Sequence, residues 1–199
     1  RHVLPRPNLL GEHQIRNAGT ALAVFERFRS VRLDQPAVAQ GLTATEWPGR
    51  LQHLTDGPLV AVLSDDSELW LDGGHNPAAA AMLADHARAH WTDRPLHIIG
   101  GMMNSKDTLE FLLPLSAVAE SFIGVVIPGE DNSLSATDLA DAARSVGLDA
   151  HAAADIKAAL AETRTKGNGP IRVLICGSLY LAGTVLACNV DAVNGVKMP

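Results

Sequence analysis

Cysteine is nearly absent from this chain. Cys176 and Cys188 are the two present in 199 residues, and neither lies at a metal-ligand spacing from a second Cys or a His pair. A disulfide framework and a structural zinc site are therefore not expected; two buried free thiols in a reducing cytoplasm are. Basic charge is also short, with 16 Lys and Arg against 22 Asp and Glu and a net charge of −6. Nucleic acid and anionic membranes are held by clustered cations, so neither is expected as a partner. The opening "RHVLPRPNLL" has no initiator Met and none of the regions of a signal peptide. The reading is a piece of a longer, cytoplasmic protein. No G-x-x-x-x-G-K-[ST] phosphate loop occurs, since Lys106 is followed by Asp107. Long apolar runs are limited to "VLICGSLYLAGTVLACNV", residues 173–190, at the lower edge of what spans a bilayer. Its Cys176-Gly177-Ser178 break and β-rich first half predict a buried strand and then a buried helix.

What is present is apolar and regularly spaced. Hydrophobic residues make up 47% of the chain, enough for one full domain or one domain plus part of another. From Glu12 to Arg29, Ile15, Ala18, Leu22, Phe25 and Phe28 recur at helical spacing. "LDQPAVAQGLTATEWPGR" follows, punctuated by Pro36, Gly41, Pro48 and Gly49, and its end reads as an interdomain linker. "PLVAVL" (58–63) and "ELWLD" (68–72) are two short β-like runs around a polar turn and predict a hairpin. Strands are then predicted at 95–100, 121–128 and 171–176, with a short one at "LDAHAA". Between them lie helices at 77–91, 106–115, 135–146 and 155–165, a flexible "KGNG" turn, and a helix from Ser178. Near-continuously apolar strands alternating with helices predict an α/β fold: a Rossmann-like, mostly parallel sheet with helices on both faces.

Ligands of such sheets sit beyond the carboxyl ends of the strands, which directs attention to four junctions. In "LDGGHNP" (71–77), Asn76 and Pro77 suit a helix start, as cap and as first residue. They leave Asp72 and His75 to project at the ligand edge, either as a local hydrogen-bonded pair or as functional groups, with Gly73 and Gly74 permitting close approach. "GGMMNSKD" (100–107) reads as a turn and helix start with Asp107 in the first turn, or as a ligand loop carrying Lys106. In "ICGSLYLAG" (175–183), Ser178 is either a helix cap or part of a carboxylate-binding helix terminus. In "WPGR", Arg50 is either solvated or a phosphate clamp. The scattered His86, His90, His97 and His151 are expected at the surface, without a metal.

These junctions and the helix before them resemble one family in motif and order. "LPRPNLLGEHQIRNAGTALA" (4–23), "WPGR", "LDGGHNP", "GMMNSKD" and "ICGSLYLAG" are similar to the C-terminal part of dihydrofolate synthase/folylpolyglutamate synthase, of the Mur ligase superfamily. The resemblance implies residues 1–46 as the end of a central ATP-binding domain with its linker, and 47–199 as the C-terminal, glutamate-ligase domain. The implied parent is an ATP-dependent carboxylate–amine ligase, adding L-glutamate to dihydropteroate or folate through an acyl phosphate. ATP and Mg²⁺ are its expected cofactors, with the magnesium ligands and phosphate loop outside these residues, and the domain is expected to pack against its own ATPase domain. By resemblance, Asn17 meets the ATP base and Arg50 the phosphates, while Asp72 and His75 meet the nucleotide and serve catalysis. Lys106 and Ser178 fall on the glutamate side. His13-Gln14 stands where many peptidoglycan ligases carry His-Asn, which favours the folate branch. The competing expectations are a stand-alone Rossmann-like nucleotide-binding or regulatory module, and another Mur-type amino-acid ligase.

Overall fold

A computed structural model describes residues 3–28, 34–165 and 169–190. The chain divides into two compact units, Arg1–Leu51 and Gln52–Pro199.

In the first unit, α1 (Glu12–Phe25) follows Gly11, whose φ of +102° suits a residue without Cβ. The helical pattern read to Arg29 ends earlier. Arg27 and Phe28 donate to the carbonyls of Val24 and Phe25, three residues back, and Arg29 lies outside the described residues. α2 (Gln35–Ala44) occupies much of the stretch whose Pro and Gly read as punctuation. Pro36 stands in the first turn, where its missing N–H costs nothing, and Asp34 caps the helix by accepting from the Ala37 N–H at 2.8 Å. Asn8 donates to Leu42 and Thr45, and Gln35 to Val3, tying the first residues along α2.

The second unit is built on a six-stranded sheet. Its strands are β1 (Gln52–Leu54), β2 (Glu68–Leu71), β3 (Leu96–Gly100), β4 (Ser121–Gly124), β5 (Asp149–Ala152) and β6 (Arg172–Cys176). The order is β1-β2-β6-β3-β4-β5, with β1 antiparallel to β2 and the other pairs parallel. Its helices are α3 (Pro77–His90), α4 (Thr108–Ser116), α5 (Ala136–Ser145), α6 (Ile156–Thr165) and α7 (Leu179–Cys188). Alternation along the strands divides the core. Leu69, Leu71, Ile99, Ile123, Val173 and Ile175 form one cluster with Ile156 and Leu160 of α6 and Leu181 and Val185 of α7. Trp70, Ile98, Phe122 and Leu174 take the intervening positions and face the other side. There α3, α4 and α5 pack side by side, and Gly124 lets the α5 backbone approach.

Caps behave as their chemistry requires. Asn76 and Asp107 accept from the N–H groups of Ala79 and Glu110, and Ser135 exchanges hydrogen bonds with Asp138. Asp107 is thus the cap itself rather than a first-turn residue. The uncharged run 173–190 divides into β6 and α7, and no helix among the described residues is long and apolar enough to cross a membrane. Of the "KGNG" turn, residues 166–168 lie outside the described residues.

Three further expectations are corrected. Residues 58–63 do not form a strand; they include a 3-10 turn, Val60–Val62, and the antiparallel partner of β2 is β1. The buried residues of that run, Leu59 and Leu63, are four apart, a helical rather than alternating spacing. Asn189 at the end of α7 holds the turn, accepting from the Leu59 N–H at 2.9 Å and donating to the Asp56 carbonyl at 2.7 Å. Asn189→Ala removes both bonds and is expected to cost about 2 kcal/mol in urea unfolding. The second correction is Cys188, which is exposed at the last residue of α7, whereas Cys176 is buried. The third is His97, which is buried on β3 and hydrogen-bonded through Nδ1 to Ser121 Oγ at 2.8 Å, because its register partner on β4 is that serine.

At the amino ends of β2 and β6 lies a charged cluster that the sequence did not announce. Arg172 is 4% exposed and pairs with Glu68 at 2.7 Å and Asp93 at 3.1 Å, while its guanidinium lies 5.2 Å from the centre of the Trp91 ring. Trp70 Nε1–H donates to the same Glu68 carboxylate at 2.8 Å.

Candidate functional site

The carboxyl ends of β2, β6 and β3 are neighbours in the sheet, so the three loops that leave them are neighbours too. They are joined by backbone. The Asp72 N–H donates to the Ile175 carbonyl at 3.0 Å, Gly177 N–H to Gly74 at 2.9 Å, and Gly101 N–H to Cys176 at 3.3 Å. Gly177 has φ +109°, and a Cβ there would lie 2.7 Å from the Gly101 carbonyl oxygen, so only glycine fits this crossing. Three short apolar strands therefore end in one interlocked edge.

Asp72 and His75 shape the first of these loops. The Asp72 carboxylate, 2% exposed, accepts from the Gly74 N–H at 2.6 Å, the local turn that Asp favours. A Cβ on Gly74 would lie 2.8 Å from that same oxygen and 2.9 Å from the Ala79 Cβ. His75 is half-buried, and its Nδ1 lies 3.0 Å from the Gly73 carbonyl oxygen. A carbonyl only accepts, so Nδ1 carries the hydrogen and Nε2 is left for a ligand. Burial raises the thiol of neighbouring Cys176 far above the usual cysteine range, and the Asp72 charge adds to this, so the sulfur stays an uncharged wall of the site.

Ser178 joins this edge, but as a cap. It is 3% exposed and its Oγ accepts from the Tyr180 N–H at 3.1 Å, opening α7. Leu179 lies across Gly73, with its Cγ 3.0 Å and its Cα 3.4 Å from the place a Cβ would take. Lys106 is exposed on the third loop, which is braced by the segment after β4. Asn104 N–H donates to Asn132, Leu134 N–H donates to Met102, and Met103 bridges Ser133. Ser133 Oγ in turn accepts from the Ile127 N–H at 2.9 Å, so this brace, absent from the sequence reading, holds the loop carrying Lys106.

Asn17 and Arg50 belong to the first unit. Asn17 is exposed on α1, with its amide donating to Gln14 Oε1 at 3.1 Å. Arg50 is half-buried between two left-handed residues, Gly49 at φ +70° and Leu51 at φ +41°. Leucine seldom adopts that conformation, so the chain is held in a tight, specific bend about Arg50. Among the described residues, no group of three or more His, Cys, Asp or Glu could hold a metal ion.

A doubly covered, mostly parallel sheet with polar groups gathered at its strand ends defines a ligand-binding α/β domain. Residues 49–179 match the model of the "Mur ligase, glutamate ligase domain", and the chain belongs to this family. It is 31% identical over 175 residues to a probable bifunctional folylpolyglutamate synthase/dihydropteroate synthase of Haloferax volcanii, covering 87% of this chain and 19% of that protein. The folylpolyglutamate synthase of Mycobacterium tuberculosis complexed with ADP superposes with a TM-score of 0.75 at 28% identity, over 91% of this chain and 41% of that one. A bifunctional folylpolyglutamate synthase/dihydrofolate synthase with Mn, AMPPNP and L-glutamate bound gives 0.75 at 27% identity, over 94% and 41%. The chain thus spans about a fifth of the first relative and two fifths of the solved chains.

Proposed function

We propose that this chain is the glutamate-side portion of a longer ATP-dependent ligase that joins L-glutamate to dihydropteroate or folate. The observation that carries the reading is the interlocked edge holding Asp72, His75 and Ser178 in a chain of the glutamate ligase domain family. Its similarity to folylpolyglutamate and dihydrofolate synthases, at two fifths of the length of the solved ones, supports a parent of that kind. A carboxylate resists attack by an amine until one oxygen becomes a good leaving group. ATP would supply that activation by transferring its γ-phosphoryl group to the carboxylate with ADP as leaving group, and the glutamate amine would then displace phosphate to leave the amide.

The residues of this chain have distinct tasks in that reaction. His75, fixed by its Nδ1–H bond to Gly73, presents Nε2, which donates to a phosphate oxygen when the ring is protonated. Asp72 holds the loop in shape and offers an acceptor suited to a hydroxyl rather than to a phosphate. The Arg50 guanidinium suits phosphate in a bidentate pair, and the Asn17 amide suits a base edge. Lys106 brings an exposed cation to the glutamate side, while Ser178 acts there through the helix terminus it caps.

The test is product analysis with the longer protein that carries this chain. ATP, L-glutamate and dihydropteroate or folate together should yield the glutamyl conjugate and phosphate, and omission of any one should stop both. A stand-alone binding module would bind nucleotide without making conjugate. A peptidoglycan-type ligase would instead be competed by a nucleotide-linked sugar peptide and be indifferent to folate.

A further inference from the structure

We propose that Leu179 is a positioning residue for His75, acting through Gly73. This rests on the reading of His75 as a nucleotide-facing group, but its geometry stands independently.

Leu179 is 47% exposed on the first turn of α7, so it adds little to the core. The part it does bury lies against Gly73, where its Cδ2, Cγ and Cα are the three atoms nearest to the space a Cβ would need. Gly73 is not among the glycines with positive φ, so its backbone conformation is open to any residue. The three nearest atoms opposing a side chain there all belong to the leucine. The Gly73 carbonyl is the acceptor that fixes Nδ1–H of His75, and the next carbonyl, that of Gly74, is held by the Gly177 N–H two residues before Leu179. The start of α7 therefore grips the loop at two consecutive residues, and the grip reaches the imidazole in one hydrogen bond. Free imidazole side chains prefer the other tautomer, with hydrogen on Nε2. The leucine is what keeps the ring anchored through Nδ1–H, with the Nε2 edge turned away from the loop and toward a ligand.

The test is imidazole ¹⁵N spectroscopy of the whole 199-residue chain at neutral pH, in wild type, Leu179→Ala and Leu179→Met, combined with a Gly73→Ala cycle. In wild type, His75 Nδ1 should resonate as a protonated, pyrrole-type nitrogen and Nε2 as a pyridine-type one. Leu179→Ala should move Nδ1 most of the way to the pyridine-type position, and Leu179→Met, which refills the space, should restore it. Gly73→Ala should lower the unfolding midpoint by about 4 °C in wild type and by about 1 °C in the Leu179→Ala background, where the added methyl has room. An unchanged His75 tautomer in Leu179→Ala, or an equal cost of Gly73→Ala in both backgrounds, would overturn the proposal. If the tautomer shifts as described while ligation by the longer protein is unaffected, the positioning stands and the catalytic assignment of His75 fails.

Discussion

His75→Ala in the proposed longer ligase is expected to lower glutamate addition about 100-fold, the usual scale for losing one preorganised donor to developing phosphate charge. Its fold should survive. His75 is half-buried and holds a hydrogen bond to the Gly73 carbonyl, so truncation should cost only about 1 kcal/mol. Asp72 requires more care. Its carboxylate is buried and satisfies the Gly74 N–H, so Asp72→Ala would orphan that donor and deform the loop as well as remove charge. Asp72→Asn keeps an acceptor oxygen in place and separates the two effects. A loss in Asp72→Asn comparable to that of Asp72→Ala assigns the effect to charge, whereas a much milder one assigns it to loop shape. Initial rates of conjugate formation, with circular dichroism as the control, give the answer; wild-type rates in both His75→Ala and Asp72→Asn would remove these residues from the chemistry.

Arg172→Met is expected to produce the largest loss of stability, about 3 kcal/mol at neutral pH. The guanidinium is almost fully buried, and removing it strands the Glu68 carboxylate with the Trp70 N–H and the more distant Arg94, 3.4 Å away. The methionine also forfeits the cation–π contact with Trp91. Glu68 adds a pH signature. Partial burial pushes its carboxyl up, but hydrogen bonds from Arg172 and Trp70, with the charges of Arg172 and Arg94, outweigh that and hold it below its ordinary value. A carboxyl with its folded pKa depressed contributes stability above the unfolded pKa, about 4.3 for glutamate, and loses it as pH falls through the folded value. Urea unfolding should therefore find wild type more stable than Glu68→Gln at neutral pH, with the advantage vanishing in acid. In Arg172→Met the pH dependence of that difference should largely disappear. A pH-independent difference between wild type and Glu68→Gln would contradict the pairing.

Local chemistry was legible in the sequence because it is local. Asn76-Pro77, Ser135 with Asp138, and the alternation of apolar strands with helices are written within a few residues, and each appears in the structure. Pairing across long separations was not. Glu68 and Arg172 are 104 positions apart and meet only because β6 inserts between β2 and β3. The same insertion brings Gly177 and Leu179 onto the Asp72–His75 loop, a contact that the separate motifs 71–77 and 175–183 do not reveal. The run at 58–63 misled because its apolar content fits strand and helix alike. What decides is the grip of Asn189, about 130 residues away. His97 misled because histidine is usually exposed, and the serine beside it on the neighbouring strand satisfies it when buried.

On the proposed function, this edge serves a ligation completed by residues outside the chain. The most direct measurement compares the 199-residue chain with the longer protein, following conjugate and phosphate formation from ATP, L-glutamate and dihydropteroate or folate. The prediction is no turnover by the chain alone, and turnover by the longer protein that requires all three substrates. Conjugate formed by the chain alone, or a longer protein that hydrolyses ATP without consuming glutamate, would contradict it.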